Sequence, residues 1–281
     1  MKLMAQFRRL MRKPINKTRF GELHAASPKR FSFARKPKAL SRAENGPAVG
    51  FLNVGFPETF ETIFPWEIET AKGRYGEFYR RVVRDEREFQ RMAAWIETNQ
   101  DIVFIRSLLD SCIALAEHQV EPGCRSAIGE LERSAKFDGN EASESQLIEA
   151  MIEAYRRLHA DLEIDAICSV PPSKAGQTSL PNRIAARMAS EFALEDLTCK
   201  LGWASAKPSV KETPVGEKWN VLEAVGLTVS GAFKGRNVLI IDDMYQSGST
   251  IHFVASKLRD AGCGDIHCFA VVKALGDTDN V

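Results

Sequence analysis

The chain of 281 residues lacks any long apolar run. A helix that spans a bilayer needs ~20 consecutive apolar residues, and no segment approaches that length. The N-terminus also lacks the apolar stretch of a secretory signal. These absences predict a cytoplasmic protein without a membrane partner.

The six cysteines lack the spacing of a metal site or a disulfide framework. They form no Cys-x-x-Cys pair and no Cys/His group at zinc-finger spacing. Scattered reduced thiols explain them best. Cys263 and Cys268, on either side of a predicted turn, are the one pair left open.

Acidic residues are nearly absent from the first 40 positions, where Glu22 stands alone. The basic residues of this segment are Lys2, Arg8, Arg9, Arg12, Lys13, Lys17, Arg19, Lys29, Arg30, Arg35, Lys36 and Lys38. Because the whole chain has a net charge of only +1, the segment is a local basic arm. Three interpretations stay open: a solvated or disordered tail, contact of residues 1–42 with nucleic acid, and organelle targeting.

The patterning divides the chain into three parts. Residues 1–47 are a basic arm or lead-in, residues 48–150 are a mainly helical accessory region, and residues 151–281 alternate between strand and helix patterns. A length of 281 residues is consistent with about two domains.

The accessory region is predicted to contain a helical hairpin. Apolar residues at steps of three and four indicate helices over about 75–97 and about 102–116. A further helix, running to about residue 160, is expected to begin at Ser143 or Ser145. Aromatic residues ahead of the first of these helices are expected to pack in a core rather than bind a ligand; they are Phe56, Phe60, Phe64 and Trp66.

The last part of the chain predicts an α/β fold. The expected strands cover residues 166–170, 197–203, 238–241 and 266–272, and the expected helices cover about 184–192 and 249–261. Such alternation predicts a parallel sheet flanked by helices, with ligands bound at the carboxyl ends of its strands.

One stretch carries the functional information: V-L-I-I-D-D-M-Y-Q-S-G-S-T at residues 238–250. Four aliphatic residues in succession fit a strand buried on both faces, so Asp242 and Asp243 fall at its carboxyl end. Carboxylates there can accept hydrogen bonds from sugar hydroxyls or face a hydrated Mg²⁺.

The second half of the stretch predicts a phosphate site. Three hydroxyl residues and Gly248 lie at the start of a helix, where unpaired N–H groups and the helix dipole favour an anion. Gly248 lets the backbone approach that anion closely. The carboxylates would bind the hydroxyls of a sugar, and the neighbouring backbone amides would bind its phosphate. Together they predict a site for ribose 5-phosphate.

These residues resemble the signature for 5-phosphoribosyl-1-pyrophosphate (PRPP) of type I phosphoribosyltransferases. The order of Ser169-Val170-Pro171-Pro172, Trp219-Asn220-Val221 and Gly231-Ala232-Phe233-Lys234-Gly235 is similar to that of ComF-type proteins. The resemblance covers about residues 150–275. It implies the type I phosphoribosyltransferase fold, PRPP or another phosphorylated ribose as ligand, and Mg²⁺ as cofactor.

The resemblance also implies roles for individual residues. Asp242 and Asp243 would bind the ribose hydroxyls, hold the metal and act in catalysis. Lys207, Lys211 and Lys218 lie where the family has a mobile catalytic loop, and Lys211 is the predicted catalytic lysine. The implied PRPP-binding residues are Asp242, Asp243, Met244, Tyr245, Gln246, Ser247, Gly248, Ser249, Thr250, Ser173 and Lys174.

Gln246 departs from the purine-salvage members of the family, which have an aspartate there. A glutamine side chain cannot accept a proton at neutral pH, so 6-oxopurine salvage with this residue as base is disfavoured. The acceptor is therefore left open. An enzyme and a non-catalytic PRPP sensor coupled to a partner both stay possible functions, with homo-oligomerisation as a further expectation.

Overall fold

The computed structural model describes residues 14–73, 76–174, 176–210, 213–231 and 233–276. Helices, numbered in chain order, are α1 (Lys17–Ala25), α2 (Phe60–Ile63), α3 (Glu86–Thr98), α4 (Ala127–Phe137), α5 (Glu141–Leu158), α6 (Leu180–Phe192), α7 (Val215–Val225) and α8 (Ser249–Asp260). Strands are β1 (Arg30–Phe31), β2 (Leu40–Arg42), β3 (Gly50–Val54), β4 (Glu69–Gly73), β5 (Gly76–Val83), β6 (Val103–Ile105), β7 (Ser111–Glu117), β8 (Gln119–Glu121), β9 (Cys124–Arg125), β10 (Ala166–Ser169), β11 (Glu195–Asp196), β12 (Leu201–Trp203), β13 (Leu227–Val229), β14 (Val238–Tyr245) and β15 (Ile266–Lys273).

A seven-stranded sheet forms the centre of the fold, in the order β1-β6-β7-β15-β14-β10-β11. From β7 to β11 in this order the strands run parallel, and β6 and β1 extend the sheet antiparallel. The predicted α/β fold, with a mainly parallel sheet flanked by helices, is confirmed.

Strand β14 shows why helices cover both faces of this sheet. Leu239 and Ile241 pack into one core with α5 and α6, whereas Val238 and Ile240 pack into a second core with α8. Successive side chains of a strand point to opposite faces, so an unbroken apolar run requires a cover on each side.

The helical hairpin predicted for about 75–97 and 102–116 is wrong. Only α3 is helical there; β5 replaces the first part, and β6 and β7 replace the second. Strand β7 is buried along its whole length and pairs in parallel with β15. Short apolar runs fit helix and strand patterns alike, and here the pairing with a distant strand decides. The accessory region therefore contains helix and strands instead of being mainly helical.

The accessory region also contains a second sheet. It is antiparallel, in the order β2-β3-β5-β4. Phe56 and Phe60 are fully buried beside it, and Phe64 is nearly so, which confirms the predicted packing role of these aromatics.

Two local predictions near the α/β part need correction. Helix α5 is capped by Asn140, not by Ser143 or Ser145: the Asn140 side chain accepts hydrogen bonds from the N–H groups of Ala142 and Ser143 at 3.0 and 3.1 Å. The strand expected at 197–203 is interrupted by a 3-10 turn, so that only β12 remains, and this strand pairs with β13 outside the central sheet.

The described part of the basic arm is folded. Helix α1 begins at an Asn16 cap, and Phe20 is only 3% exposed. Arg30 and Arg35 both bind Glu117, at 2.9 and 3.0 Å. The tail interpretation is therefore wrong for residues 14–42, while residues 1–13 lie outside the described residues. No helix in the described ranges is long and apolar enough to cross a membrane.

Candidate functional site

The acids of the singled-out stretch lie in the carboxyl-terminal half of β14, which continues to Tyr245. The strand is fully buried up to Ile241 and becomes partly exposed at Asp242 and Asp243. The N–H of Asp243 donates a hydrogen bond of 3.0 Å to Asp242 Oδ1. The Asp243 side chain is 19% exposed at this edge of the sheet, whereas burial is the main cause of the raised pKa of Asp242.

The loop after β14 leads directly into α8. Gly248 is the N-cap residue, with the left-handed backbone angles φ 77° and ψ 3°, and it offers no side chain to the first N–H groups of the helix. The hydroxyls of Ser247 and Ser249 lie 2.9 Å apart beside them. The N–H of Ser249 donates a long hydrogen bond of 3.4 Å to Ser247 Oγ. The positive end of the helix dipole and these hydroxyls lie together, an arrangement that favours an anion.

Two lysines lie close enough to act on the acids. Lys136 Nζ of α4 is 2.7 Å from Asp243 Oδ2. Burial lowers the pKa of Lys207, and the charges of Asp242 and Asp243 oppose this shift. Burial and the Asp243 charge raise the pKa of Asp242 well above its usual range, against the opposing charges of both lysines. Contact with hydrogen-bond donors or a cation would stabilise these carboxylates further.

The three lysines of the expected catalytic loop differ in their surroundings. Lys207 is partly buried, with its ammonium 5.0 Å from the centre of the Trp203 ring, and it interacts electrostatically with the paired acids. Lys218 is 2% exposed at the beginning of α7. Lys211, the predicted catalytic lysine, lies outside the described residues.

Ser173 and Lys174 follow β10, the parallel neighbour of β14. Both side chains are exposed on the edge of the sheet where the acids lie. The Trp203 indole N–H donates to the carbonyl of Pro171 at 3.0 Å and thereby fixes the start of this loop. The loop and Lys207 thus share Trp203 as a neighbour.

The donor set can be compared with the needs of Mg²⁺. In the described ranges no three His, Cys, Asp or Glu side chains are arranged to hold a metal ion. The carboxylates of Asp242 and Asp243 are hard oxygen ligands at one edge. This set fits an ion that takes few protein ligands and completes its shell with substrate phosphates and water, as Mg²⁺ does.

Two neighbours of the site were not predicted from the sequence. A small cavity beside the loop is lined by Tyr245, Gln246 and Ser247 on one side and by Phe20 and other residues of α1 on the other. Lys136, on α4 of the accessory region, contacts Asp243. The only sequence signal for Lys136 was its place four residues after Glu132, a spacing that is also common on solvent-exposed helix faces.

A family model described as the phosphoribosyl transferase domain matches residues 146–281. The match lies in the later part of the chain and covers slightly less than half of it. No curated protein matches the chain.

Solved structures similar to the chain include three phosphoribosyltransferases. A purine phosphoribosyltransferase from Pyrococcus horikoshii is 16% identical, covers 46% of this chain and 81% of its own, and has a TM-score of 0.30. A hypoxanthine-guanine phosphoribosyltransferase from Bacillus anthracis is 18% identical, covers 49% and 74%, and has a TM-score of 0.33. A hypoxanthine phosphoribosyltransferase from Staphylococcus aureus is 11% identical, covers 49% and 68%, and has a TM-score of 0.31.

Proposed function

From the phosphoribosyl transferase domain at residues 146–281, we propose that the chain binds PRPP and transfers its phosphoribosyl group to an acceptor, with release of pyrophosphate. One observation carries the proposal: the acids at the end of β14 are followed within a few residues by the glycine-capped start of α8. This spacing matches a sugar whose hydroxyls and phosphate are held at the same time.

The residues divide the substrate between them. Asp242 and Asp243 accept hydrogen bonds from the ribose hydroxyls, and the backbone of residues 246–250 holds the 5-phosphate. Ser173 and Lys174 border the pyrophosphate. As the bond from C1 to the pyrophosphate oxygen breaks, negative charge builds on the leaving group, and a fixed ammonium stabilises it.

Two lysines are candidates for that ammonium. Lys211 is the residue that the family resemblance favours. Lys207 is the candidate that the electrostatics favour, because its charge interacts with both acids of the site. Mg²⁺, when bound through Asp242 and Asp243, supplies further positive charge to the phosphates.

The acceptor is the finer part of the proposal. Gln246 lines the cavity next to the loop and provides an amide there, which donates and accepts hydrogen bonds but takes up no proton at neutral pH. An acceptor that needs no base at this position fits best. The ComF-like assignment stays a prediction that rests on the order of the sequence motifs.

Replacing Asp243 with Asn tests the proposal. We expect at least a tenfold loss of PRPP affinity, because the variant loses a charged acceptor for the ribose hydroxyls. Asp260→Asn is the control: its side chain is 73% exposed at the end of α8. Calorimetric titration with PRPP and Mg²⁺ measures both. Equal affinity of Asp243→Asn and the unaltered chain would contradict the proposal.

The same protein distinguishes catalysis from sensing. Incubation with PRPP, Mg²⁺ and a panel of bases releases pyrophosphate if the chain is a transferase. Saturable PRPP binding without release, across the whole panel, would favour the sensor. Contact of residues 1–42 with nucleic acid, homo-oligomerisation and a cytoplasmic location all stay predictions.

A further inference from the structure

Helix α4 brings an ammonium group to the proposed sugar site. Lys136 Nζ lies 2.7 Å from Asp243 Oδ2 and 3.4 Å from Glu132 Oε1, one helical turn earlier. The ammonium thus bridges a carboxylate of the site and a carboxylate of its own helix. Both neighbours raise the pKa of Lys136 against the effect of burial, so the group stays charged.

Glu132 is the unusual member of this group. It is 1% exposed, and neither carboxylate oxygen has a hydrogen-bond partner among the described residues. Besides Lys136, His118 Nε2 is a neighbour at 3.9 Å. Burying a carboxylate that lacks hydrogen bonds is costly, and burial raises the pKa of Glu132 accordingly. Its charge is well placed to hold the Lys136 ammonium beside Asp243.

The ammonium retains the capacity to bind a ligand. A lysine side chain has three N–H donors and no acceptor. Its neighbours Asp243 and Glu132 are ion-pair contacts at 2.7 and 3.4 Å, and two carboxylates leave at least one donor for a ligand. Its side chain is 29% exposed. A hydroxyl oxygen that donates its hydrogen to Asp243 would lie next to this ammonium.

We propose that Lys136 and Asp243 together recognise one ribose hydroxyl, with Asp243 accepting its hydrogen and Lys136 donating to its oxygen. Glu132 is the positioning residue that holds Lys136. The inference rests on the proposed function, since it places a phosphorylated ribose at Asp243. It makes the accessory region responsible for selecting ribose over deoxyribose.

The expected size of this selection follows from the chemistry of the pair. A site built to hydrogen-bond a hydroxyl rejects an analogue that lacks it, because its polar groups are then left unpaired. A charge that merely attracts the phosphate would strengthen the binding of ribose 5-phosphate and of its deoxy analogues equally. The ratio of the two affinities therefore separates recognition of the hydroxyl from general attraction.

The experiment uses the full chain and three stable probes: ribose 5-phosphate, 2-deoxyribose 5-phosphate and 3-deoxyribose 5-phosphate. We expect the unaltered chain to prefer ribose 5-phosphate over at least one deoxy sugar by tenfold or more. Lys136→Met should lower that ratio severalfold through weaker binding of ribose 5-phosphate, because only Asp243 then contacts the hydroxyl. Glu132→Gln should lower it part of the way, and Lys136→Arg should keep most of it.

Arg133→Met is the matched control. Arg133 is a cation of the same helix, 46% exposed and paired with Asp138, so its loss removes the same charge away from the site. This variant should keep the ratio of the unaltered chain. A ratio unchanged in Lys136→Met, or tighter binding of ribose 5-phosphate by that variant, would overturn the inference.

A measurement on the unaltered chain guards against a folding defect in the variants. Ribose 5-phosphate should protect Lys136 from an amine-reactive reagent, while the exposed Lys234 is labelled equally with and without the sugar. Labelling of Lys136 that does not change on binding would overturn the inference by itself. If PRPP does not bind at all, the proposed function fails and this inference fails with it.

Discussion

The loop before α8 depends on one residue, Gly248. Its φ of 77° lies in the left-handed region, and a Cβ built there would lie 2.1 Å from Tyr245 Oη. Tyr245 is only 4% exposed and has little room to move. The absence of a side chain at this position therefore serves both the backbone angle and the packing of the loop.

Gly248→Ala should destabilise the chain by ~2–4 kcal/mol, which combines the cost of a left-handed alanine with that of overpacking. It should also weaken PRPP binding, because the loop must shift. Gly235→Ala is the control, since Gly235 has the same φ of 77° with nothing within 4 Å of its Cβ. Denaturant unfolding should show a loss of ~1 kcal/mol in the free energy of unfolding for the control. Equal losses in both variants would show that the contact with Tyr245 is unimportant.

Among the elements, α1 shows how the basic arm joins the fold. Phe20 places its ring 5.7 Å from that of Trp219 on α7 and 5.1 Å from that of His252 on α8. Helix α1 has only nine residues, too few to be stable alone in water. Its attachment therefore depends on contacts with the rest of the chain: this buried aromatic contact and an exposed hydrogen bond from Lys17 Nζ to Asn220 Oδ1 at 2.6 Å.

Phe20→Ala should release α1 from the rest of the chain. Removing a buried aromatic side chain costs ~3–5 kcal/mol of stability. A short terminal helix is expected to detach when it loses that much binding free energy. Hydrogen exchange should show lost protection in residues 17–25, with protection in β14 and β15 kept. Thr18→Ala, at an exposed position of the same helix, is the control. Unchanged exchange of α1 in Phe20→Ala would contradict this role.

The helices and strands that the sequence predicted correctly are those specified by a short, continuous stretch of residues. The apolar run of β14, its acids, Gly248 and the start of α8 are contiguous, so one stretch of sequence predicts their geometry. Strand β7 was predicted as a helix from its apolar spacing. It is a strand because it pairs with β15, whose partner residues lie 156 positions further along the chain. Sequence spacing contains no information about such a partner.

The same reasoning separates the two halves of the candidate site. The positions of the acids and of the loop before α8 were predictable because their order along the chain matches their order in space. Lys136 and Phe20 come from distant segments whose own patterns are ordinary, a helical Glu–Lys pair and a short basic helix. Their role depends on how α4 and α1 pack, which only the structure shows.

For the whole molecule, buried histidines are expected to make stability depend on pH. His159 is fully buried, and burial lowers its pKa to about 3. The unfolded chain takes up a proton there near pH 6.5, whereas the folded chain does not. Between these values the unfolded state binds more protons, so this contribution to stability is lost as the pH falls.

His159→Phe isolates this effect, because other titrating groups are shared by the two chains. The free energy of unfolding of the unaltered chain should fall relative to that of the variant by up to ~1.4 kcal/mol per pH unit between about pH 6 and 4.5. His159 stacks on Tyr155, which a phenyl ring can also do. Denaturant unfolding at several pH values measures the difference. Parallel curves would show that His159 does not have a depressed pKa.

The borders of the central sheet bear on how copies of this chain can meet. Both outermost strands, β1 and β11, are only two residues long. The fully buried β15 lies inside the sheet, where it pairs with β7 on one side and β14 on the other. Short edge strands expose few unpaired backbone N–H and C=O groups. They therefore offer little to the edge-to-edge pairing of sheets that leads to fibres. Pairing of two copies through the borders of the central sheet is therefore disfavoured, which should slow the growth of fibres by that route.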